Sequence, residues 1–94
     1  MCKPCRSLCA IYGCAAEKWG SRAQLGMAME EMGECISAVN HISRQYNPTT
    51  LDHLAEEIAD VRIMLEQLEQ IYNLYSHVQV HRNEKLSRLQ KRLS

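Results

Sequence analysis

The residues best suited to chemistry in this 94-residue chain are two groups of acidic side chains. One is the sequence EEMGE, in which Glu31 precedes Glu34 by three positions, and the other is EIAD, in which Glu57 precedes Asp60 by three positions. On a helix, positions i and i+3 lie on neighbouring turns of one face, so each sequence presents two carboxylates together. Four carboxylates in one place repel each other unless a cation binds between them. A set of ligands made only of oxygen suits Mg²⁺ or Mn²⁺ and does not suit zinc.

Helices must bring these two pairs together, and helical periodicity runs through the whole chain. It predicts helices at about residues 5–18, 21–45, 50–72 and 78–93. The separators are Trp19-Gly20, the segment 46–50 around Pro48, and a weaker joint at 73–77. Ser21 is expected to cap the second helix, and the threonines after Pro48 the third. With no useful alternating strand pattern, we predict an all-α antiparallel bundle in which the turn at Pro48 lets the acidic pairs meet.

Apolar residues on the second and third helices predict an interface between subunits. Each helix carries a stripe with steps of four and three positions: Leu25, Met29, Met32, Ile36 and Val39 on the second, and Leu54, Ile58, Val61, Leu65, Leu68 and Tyr72 on the third. The opposite side of the second helix holds the small or apolar residues Ala23, Met27 and Ala38, as in a bundle centre or a subunit interface. Because so short a chain buries only about 60–65% of its unfolded surface, we expect oligomerisation to complete the bundle with a four-helix core formed between subunits.

The charge balance excludes some classes of protein. Lys and Arg number 11, and so do Asp and Glu, whereas general nucleic-acid binders usually carry a basic excess. We therefore expect no nucleic-acid partner. No apolar run approaches a membrane span and the N-terminus lacks a secretory signal, so we also expect no membrane partner and a cytoplasmic location. Residues 17–69 carry a net charge of −6 and residues 70–94 one of +4. An acidic centre suits cations and a basic tail suits anions, although solvated helix faces have the same pattern.

The cysteines allow two interpretations. Cys2, Cys5, Cys9 and Cys14 crowd the first residues and Cys35 stands alone. An odd number of cysteines without a signal peptide argues against a secreted disulfide scaffold. The pair Cys2 and Cys5, followed by Cys9, suggests a zinc or iron–sulfur site, but a structural zinc site usually has two close pairs. Free thiols packed as small apolar residues are the alternative.

The two acidic sequences carry a resemblance to a known family. E-E-x-x-E, then 22 residues, then E-x-x-D on a helical chain resembles the MazG-like all-α nucleoside triphosphate pyrophosphohydrolases, in particular their short, single-domain, phage-type members. The resemblance is carried by three segments: residues 23–34 (AQLGMAMEEMGE), 54–68 (LAEEIADVRIMLEQL) and the basic 84–93 (EKLSRLQKRL). It divides the chain into a MazG-like helical domain at 17–94 and a Cys-rich N-terminal segment at 1–16 that is part of the first helix or leads into it.

The resemblance implies an activity and a set of site residues. Such enzymes are homodimers or homotetramers that require Mg²⁺. They cleave nucleoside or deoxynucleoside triphosphates between the α and β phosphates and release a monophosphate and pyrophosphate. The family's metal ligands fall on Glu31, Glu34, Glu57 and Asp60, and Mn²⁺ is a substitute metal. A free carboxylate is also needed to accept the proton of the attacking water, for which Glu30 and Glu34 are the candidates. A salt bridge is the alternative use of Glu30.

The remaining site residues have to hold the phosphates and the base. Lys85 and Arg88 share a helix face and Arg82 lies one turn earlier, which suits phosphate binding. The alternative is that these cations only complement the helix dipole. Trp19 and Gln24 stand where related enzymes use an aromatic ring and an amide for the nucleobase. Core packing is the alternative use of a lone Trp.

Other classes of protein compete with the hydrolase. A carboxylate-bridged di-iron bundle needs Glu-x-x-His, and no Glu or Asp here is followed by His three positions later. A non-catalytic helical interaction or regulatory module is the main alternative, with metal or redox sensing by the N-terminal cysteines as its possible activity. Metal content and sensitivity to thiol alkylation distinguish it from a magnesium-dependent hydrolase.

Overall fold

The computed structural model describes residues 7–94, which form four α-helices joined by short turns. The helices are α1 (Leu8–Trp19), α2 (Ser21–Arg44), α3 (Pro48–Ile71) and α4 (Tyr75–Leu93). No strand occurs in the described part, so the all-α class is confirmed. Within residues 7–94, none of the helices is both long enough and apolar enough to cross a membrane. The predicted start of the first helix at residue 5 lies outside the described residues.

The turn between α1 and α2 depends on Gly20. Its φ of 86° lies in the left-handed region, which costs glycine little because it has no Cβ. Ser21 is therefore the first residue of α2 and not its cap, and Gly20 at the cap position supplies no side-chain hydrogen bond. The prediction that Ser21 caps α2 is wrong. At the other end of α1, the Ser7 side chain accepts a hydrogen bond of 3.1 Å from the Ala10 N–H.

The turn that reverses the chain between α2 and α3 is closed by a capping box. The Asn47 side chain accepts a hydrogen bond of 2.9 Å from the Thr50 N–H, and the Asn47 N–H donates at 3.1 Å to the Thr50 hydroxyl. Pro48 occupies the first turn, where its missing N–H leaves no helical bond unmade. The cap is therefore Asn47, with Thr50 closing the box, and α3 begins two residues earlier than predicted.

The α2–α3 hairpin makes the largest helix contact, and α1 packs against both of its helices. The residues buried in α2 are Gln24, Ala28 and Ala38, and those in α3 are Thr50, Glu57, Met64 and Gln67. In α1 the buried residue is Tyr12. The seam between α2 and α3 thus contains small and polar side chains, and the polar ones need partners there.

The apolar stripe of α2 does not face α3. Met29 is 66% exposed, Ile36 70% and Val39 54%. At about 100° per residue, this stripe lies roughly a quarter turn around the helix from the packed face that contains Ala28 and Ala38. Alanines at the contact let the two helix axes approach closely, so α2 packs against α3 through its small residues. The larger apolar residues Met29, Ile36 and Val39 are left exposed in residues 7–94.

Helix α4 projects from the rest of the molecule. No residue of α4 is buried, and within residues 7–94 it contacts α3 alone among the helices. The radius of gyration is 16.3 Å, compared with roughly 12 Å for a compact domain of this length. α4 begins three residues earlier than predicted, after a turn in which Asn73 has a φ of 53°. Its basic side chains are all exposed, and α4 does not contact α2, which carries Glu31 and Glu34.

Candidate metal centre

Three of the four predicted metal ligands converge at the α2–α3 seam. Glu31 from α2 and Glu57 and Asp60 from α3 each offer a carboxylate oxygen, and these oxygens all lie within 4.8 Å of one another. Glu57 is buried, with 5% of its surface exposed, while Glu31 and Asp60 are half-buried. The antiparallel hairpin produces this meeting, because it places the acidic sequence of α2 beside that of α3.

Glu34, the fourth predicted ligand, lies at the edge of this group. Its side chain is exposed, and it does not belong to the set of three whose oxygens converge. Its charge nevertheless acts on both Glu31 and Glu57, raising the pKa of each. Glu34 is therefore close enough to sense the cluster while keeping access to solvent.

The electrostatics of the cluster are unfavourable to the ionised acids. Burial raises the pKa of the Glu31 carboxyl, and the charges of Glu34, Asp60 and Glu57 raise it further. Burial also raises the pKa of Glu57, with Glu34 and Asp60 adding to the effect and His53 opposing it. Binding of either protons or a cation therefore stabilises this cluster of carboxylates.

Two carboxylate oxygens in the cluster have no hydrogen-bond donor. They are Oε2 of Glu31 and Oε2 of Glu57, and both are buried. A buried polar atom without a partner is costly, and a charged one more so. A divalent cation between the helices would satisfy both oxygens at once. Because the cluster offers only oxygen atoms, its residues fit a hard cation such as Mg²⁺ or Mn²⁺.

A buried amide pair continues the seam beyond the cluster. Gln24 Nε2 donates a hydrogen bond to Gln67 Oε1, and Gln67 Nε2 donates at 3.5 Å to the sulfur of Met64. Gln24 Oε1 is buried and has no partner. Gln24 lies seven residues before Glu31, or about 10 Å along the helix. Gln24 was selected from the sequence, but Gln67 was missed. In the sequence, Gln67 is marked only as a polar residue beside apolar positions of α3.

Trp19, the other predicted base contact, lies at the surface. It is 53% exposed, so the alternative of a packed core residue does not describe it. Lys18 Nζ lies 5.1 Å from the centroid of its ring, within cation–π range. Trp19 and Gln24 therefore occupy different environments, an exposed ring and a buried amide.

The predicted phosphate ligands are not brought to the acidic cluster in a single chain. Arg82, Lys85 and Arg88 are all exposed on α4, which makes no contact with α2 in the described chain. Lys85 and Arg88 line one shallow cleft of about 180 Å³ on α4, together with Leu89 and Arg92. Lys85 and Arg88 therefore share a cleft that Arg82 does not line, and the helix that carries all three does not contact α2 in the described chain.

A second cleft, of about 510 Å³, lies where α1 meets the end of α3. The Tyr12 hydroxyl donates there to Glu66 Oε2 at 3.3 Å, and Gln70 Nε2 donates to the backbone oxygen of Cys9 at 2.8 Å. Burial raises the pKa of Tyr12, and the Glu66 carboxylate raises it further. These bonds attach α1 to the hairpin.

The cysteines do not form a metal site in the described part of the chain. Within residues 7–94, the acidic cluster is the group of potential metal ligands that converges, and it contains no cysteine. Cys9 and Cys35 are free thiols, of which Cys9 is exposed, and Cys14 is disulfide-bonded. Packing as a free thiol therefore describes neither Cys9 nor Cys14, and Cys2 and Cys5 lie outside the described residues.

Comparisons with known proteins assign no family. No family model, no curated protein and no solved structure matches the chain. The MazG-like resemblance stays a prediction from the acidic sequences and their spacing. Support for a function comes from the acidic cluster of Glu31, Glu57 and Asp60.

Proposed function

We propose that the protein is a Mg²⁺-dependent nucleoside triphosphate pyrophosphohydrolase of the MazG-like kind. It cleaves nucleoside or deoxynucleoside triphosphates between the α and β phosphates, giving a monophosphate and pyrophosphate. The observation that supports this most is the convergence of Glu31, Glu57 and Asp60 around two buried carboxylate oxygens that have no donor. That arrangement is costly for a purely structural purpose and is suited to a cation.

The carboxylates divide the work of the site between them. Glu31, Glu57 and Asp60 would hold the metal, with Glu34 as the fourth proposed ligand. Mg²⁺ held there supplies neutralisation of phosphate oxygens and a lowered pKa for bound water. Glu30 and Glu34 are exposed carboxylates on the same side of α2, four residues apart, and they are the proposed acceptors of the proton of the attacking water.

The other groups proposed for substrate binding lie outside this centre in a single chain. The exposed ring of Trp19 is free to stack on a base, since any base presents an aromatic face. Gln24 Oε1 is an unpartnered acceptor about 10 Å along the seam from Glu31. Arg82, Lys85 and Arg88 are the cations for the phosphates.

The uncovered apolar residues support a homo-oligomer. Residues of α2 and α3 that lie on the same side of the hairpin form what we term the apolar face: Leu25, Met29, Met32, Ile36 and Val39 of α2 with Leu51, Ile58, Leu65 and Tyr72 of α3. A second copy placed on this face completes a four-helix core, in a homodimer or in a homotetramer built from dimers. A cytoplasmic location belongs to the same proposal, because nucleoside triphosphates are found there.

Pyrophosphate release tests this function. We expect release from one or more of the common NTPs, dNTPs or dUTP with Mg²⁺ and none with EDTA. Glu57→Gln and Asp60→Asn should abolish turnover while the circular dichroism stays helical, whereas Glu84→Gln, an exposed carboxylate on α4, should retain it. Turnover by either cluster variant at the parental rate contradicts the assignment of the site.

A non-catalytic interaction module is the second candidate function. It is favoured by one observation, the large apolar surface left uncovered on α2, α3 and α4. The exposed free thiol of Cys9 is one redox-sensitive group that such a module offers in the described chain. A folded protein that releases no pyrophosphate from any triphosphate would favour this function over the hydrolase.

A further inference from the structure

Helix α4 carries a stripe of three basic and two apolar residues. Steps of four and three positions connect Val78, Arg82, Lys85, Leu89 and Arg92, which we term the α4 stripe. Val78 is 38% exposed and Leu89 50%, and none of the five is buried. All five side chains are exposed in the described chain, where α3 is the one helix that α4 contacts.

The hairpin carries a surface with the opposite charge. Two helical stripes next to the metal centre form what we term the acidic face: Met27, Glu30 and Glu34 on α2, and Glu56, Asp60 and Ile63 on α3. Met27 is 42% exposed and Ile63 45%, so each stripe places one apolar residue beside two carboxylates. This composition complements that of the α4 stripe, where apolar residues stand beside cations.

The two surfaces do not meet in one chain. The turn before α4 contains Asn73 at a φ of 53°, and α4 makes no contact with α2 in the described residues. The metal centre nevertheless contains a buried carboxylate, Glu57, with an oxygen that no group in residues 7–94 satisfies. A second chain is therefore the available source of α4 for this surface.

We propose that α4 of one copy lies on the acidic face of a second copy and brings Arg82 and Lys85 to that copy's metal centre. The docking itself depends on the complementarity of charge and apolar residues. That these cations then hold the phosphates of a substrate rests on the proposed function. The site is incomplete in a single chain, because its carboxylates and its cations come from different copies.

Zero-length crosslinking of amines to carboxylates tests the docking without any catalysis. Chains labelled with ¹⁴N and ¹⁵N are mixed unfolded, refolded together and treated with a carbodiimide. We expect peptides joining Lys85 to Glu30, Glu34 or Glu56, with about half of the pairs combining the two labels. Lys91 is the matched control, because it is exposed on α4 but lies off the stripe, and it should give no such pairs.

Two outcomes overturn the docking. If crosslinks between Lys85 and these acids occur only in peptides of a single label, α4 folds back within its own chain. Absence of the Lys85 crosslinks, with binding of the chain to phosphatidylserine vesicles, would assign α4 to an anionic membrane surface instead.

Complementation of inactive variants tests the shared site. One chain carries Arg82→Ala with Lys85→Ala, and the other carries Glu57→Gln. Each alone should be inactive, while a refolded equal mixture should recover about a quarter of the parental activity, because half of the pairs contain one intact site of two. An inactive mixture beside an active parent overturns the shared site. An inactive parent refutes the proposed function and leaves the crosslinking result to decide the docking.

Discussion

Substitution of Ile36 by serine tests whether a second copy covers the apolar face. Ile36 lies near the middle of that face and is 70% exposed in the single chain. Serine and isoleucine have similar helix propensities, so Ile36→Ser should change the stability of an isolated chain little, within about 0.5 kcal/mol for a surface position. Any large effect must therefore come from contacts between copies.

The magnitude follows from the exposed fraction of the side chain. Full burial of an isoleucine contributes about 1.5–3 kcal/mol, so the 70% of Ile36 that is still exposed has about 1–2 kcal/mol left to gain from a partner. A two-fold interface contains the residue twice, giving about 2–4 kcal/mol. The dissociation constant for this contact should then rise by roughly 30- to 700-fold.

Sedimentation equilibrium over a dilution series measures this constant directly. Val80→Ser is the matched control, because Val80 is 55% exposed but lies on α4, off both the apolar face and the α4 stripe. We expect Val80→Ser to associate as the parent does, with both variants equally helical by circular dichroism. If Ile36→Ser associates within about three-fold of the parent, or if both variants weaken equally, the apolar face is not an interface between copies.

Three further predictions concern the cluster and the turn. In EDTA the melting temperature should fall as pH rises above about 4.5. The reason is that the raised pKa values of Glu31 and Glu57 let the folded chain bind more protons than the unfolded one. A Glu57→Gln variant whose melting temperature falls with pH as steeply as that of the parent would contradict this. Mg²⁺ at a hundred times its Kd should stabilise the parent by about 2.7 kcal/mol in thermal unfolding but not Asp60→Asn, and equal stabilisation of both excludes the cluster as the site. Asn47→Ala should lower the free energy of unfolding in urea by about 1 kcal/mol, and an unchanged midpoint would show that the capping box is not needed.

The acidic cluster was predictable because local signals determined it. Spacing of three positions placed Glu57 beside Asp60 on one face, and Asn47-Pro48 marked the reversal that brings Glu31 to them. The buried amide of Gln67 was not predictable in this way. Its position depends on a partner in another helix, Gln24, and a single sequence contains no record of which polar residues meet across a seam.

The packed face of α2 shows a different limit of sequence reasoning. Hydrophobic periodicity identifies the stripe that contains Ile36, but it does not tell whether a neighbouring helix of the same chain or a second chain covers that stripe. In the structure the contact with α3 is made by Ala28 and Ala38, which allow a closer approach than the larger residues would. The cap of α2 was missed for a related reason, because the turn there depends on the backbone of Gly20 and not on the hydroxyl of Ser21.

The position of the two hairpin surfaces determines how copies of the chain can combine. At about 100° per residue, the apolar stripe and the acidic stripe of each helix lie on either side of the packed face, roughly half a turn apart. A partner on the apolar face therefore leaves the acidic face open to substrate and to α4 of another chain. One contact alone gives a dimer, and both contacts made with different partners give a tetramer. If both occur, Ile36→Ser should leave pairs joined through α4, while Lys85→Glu with Arg82→Glu should leave pairs joined through the apolar face.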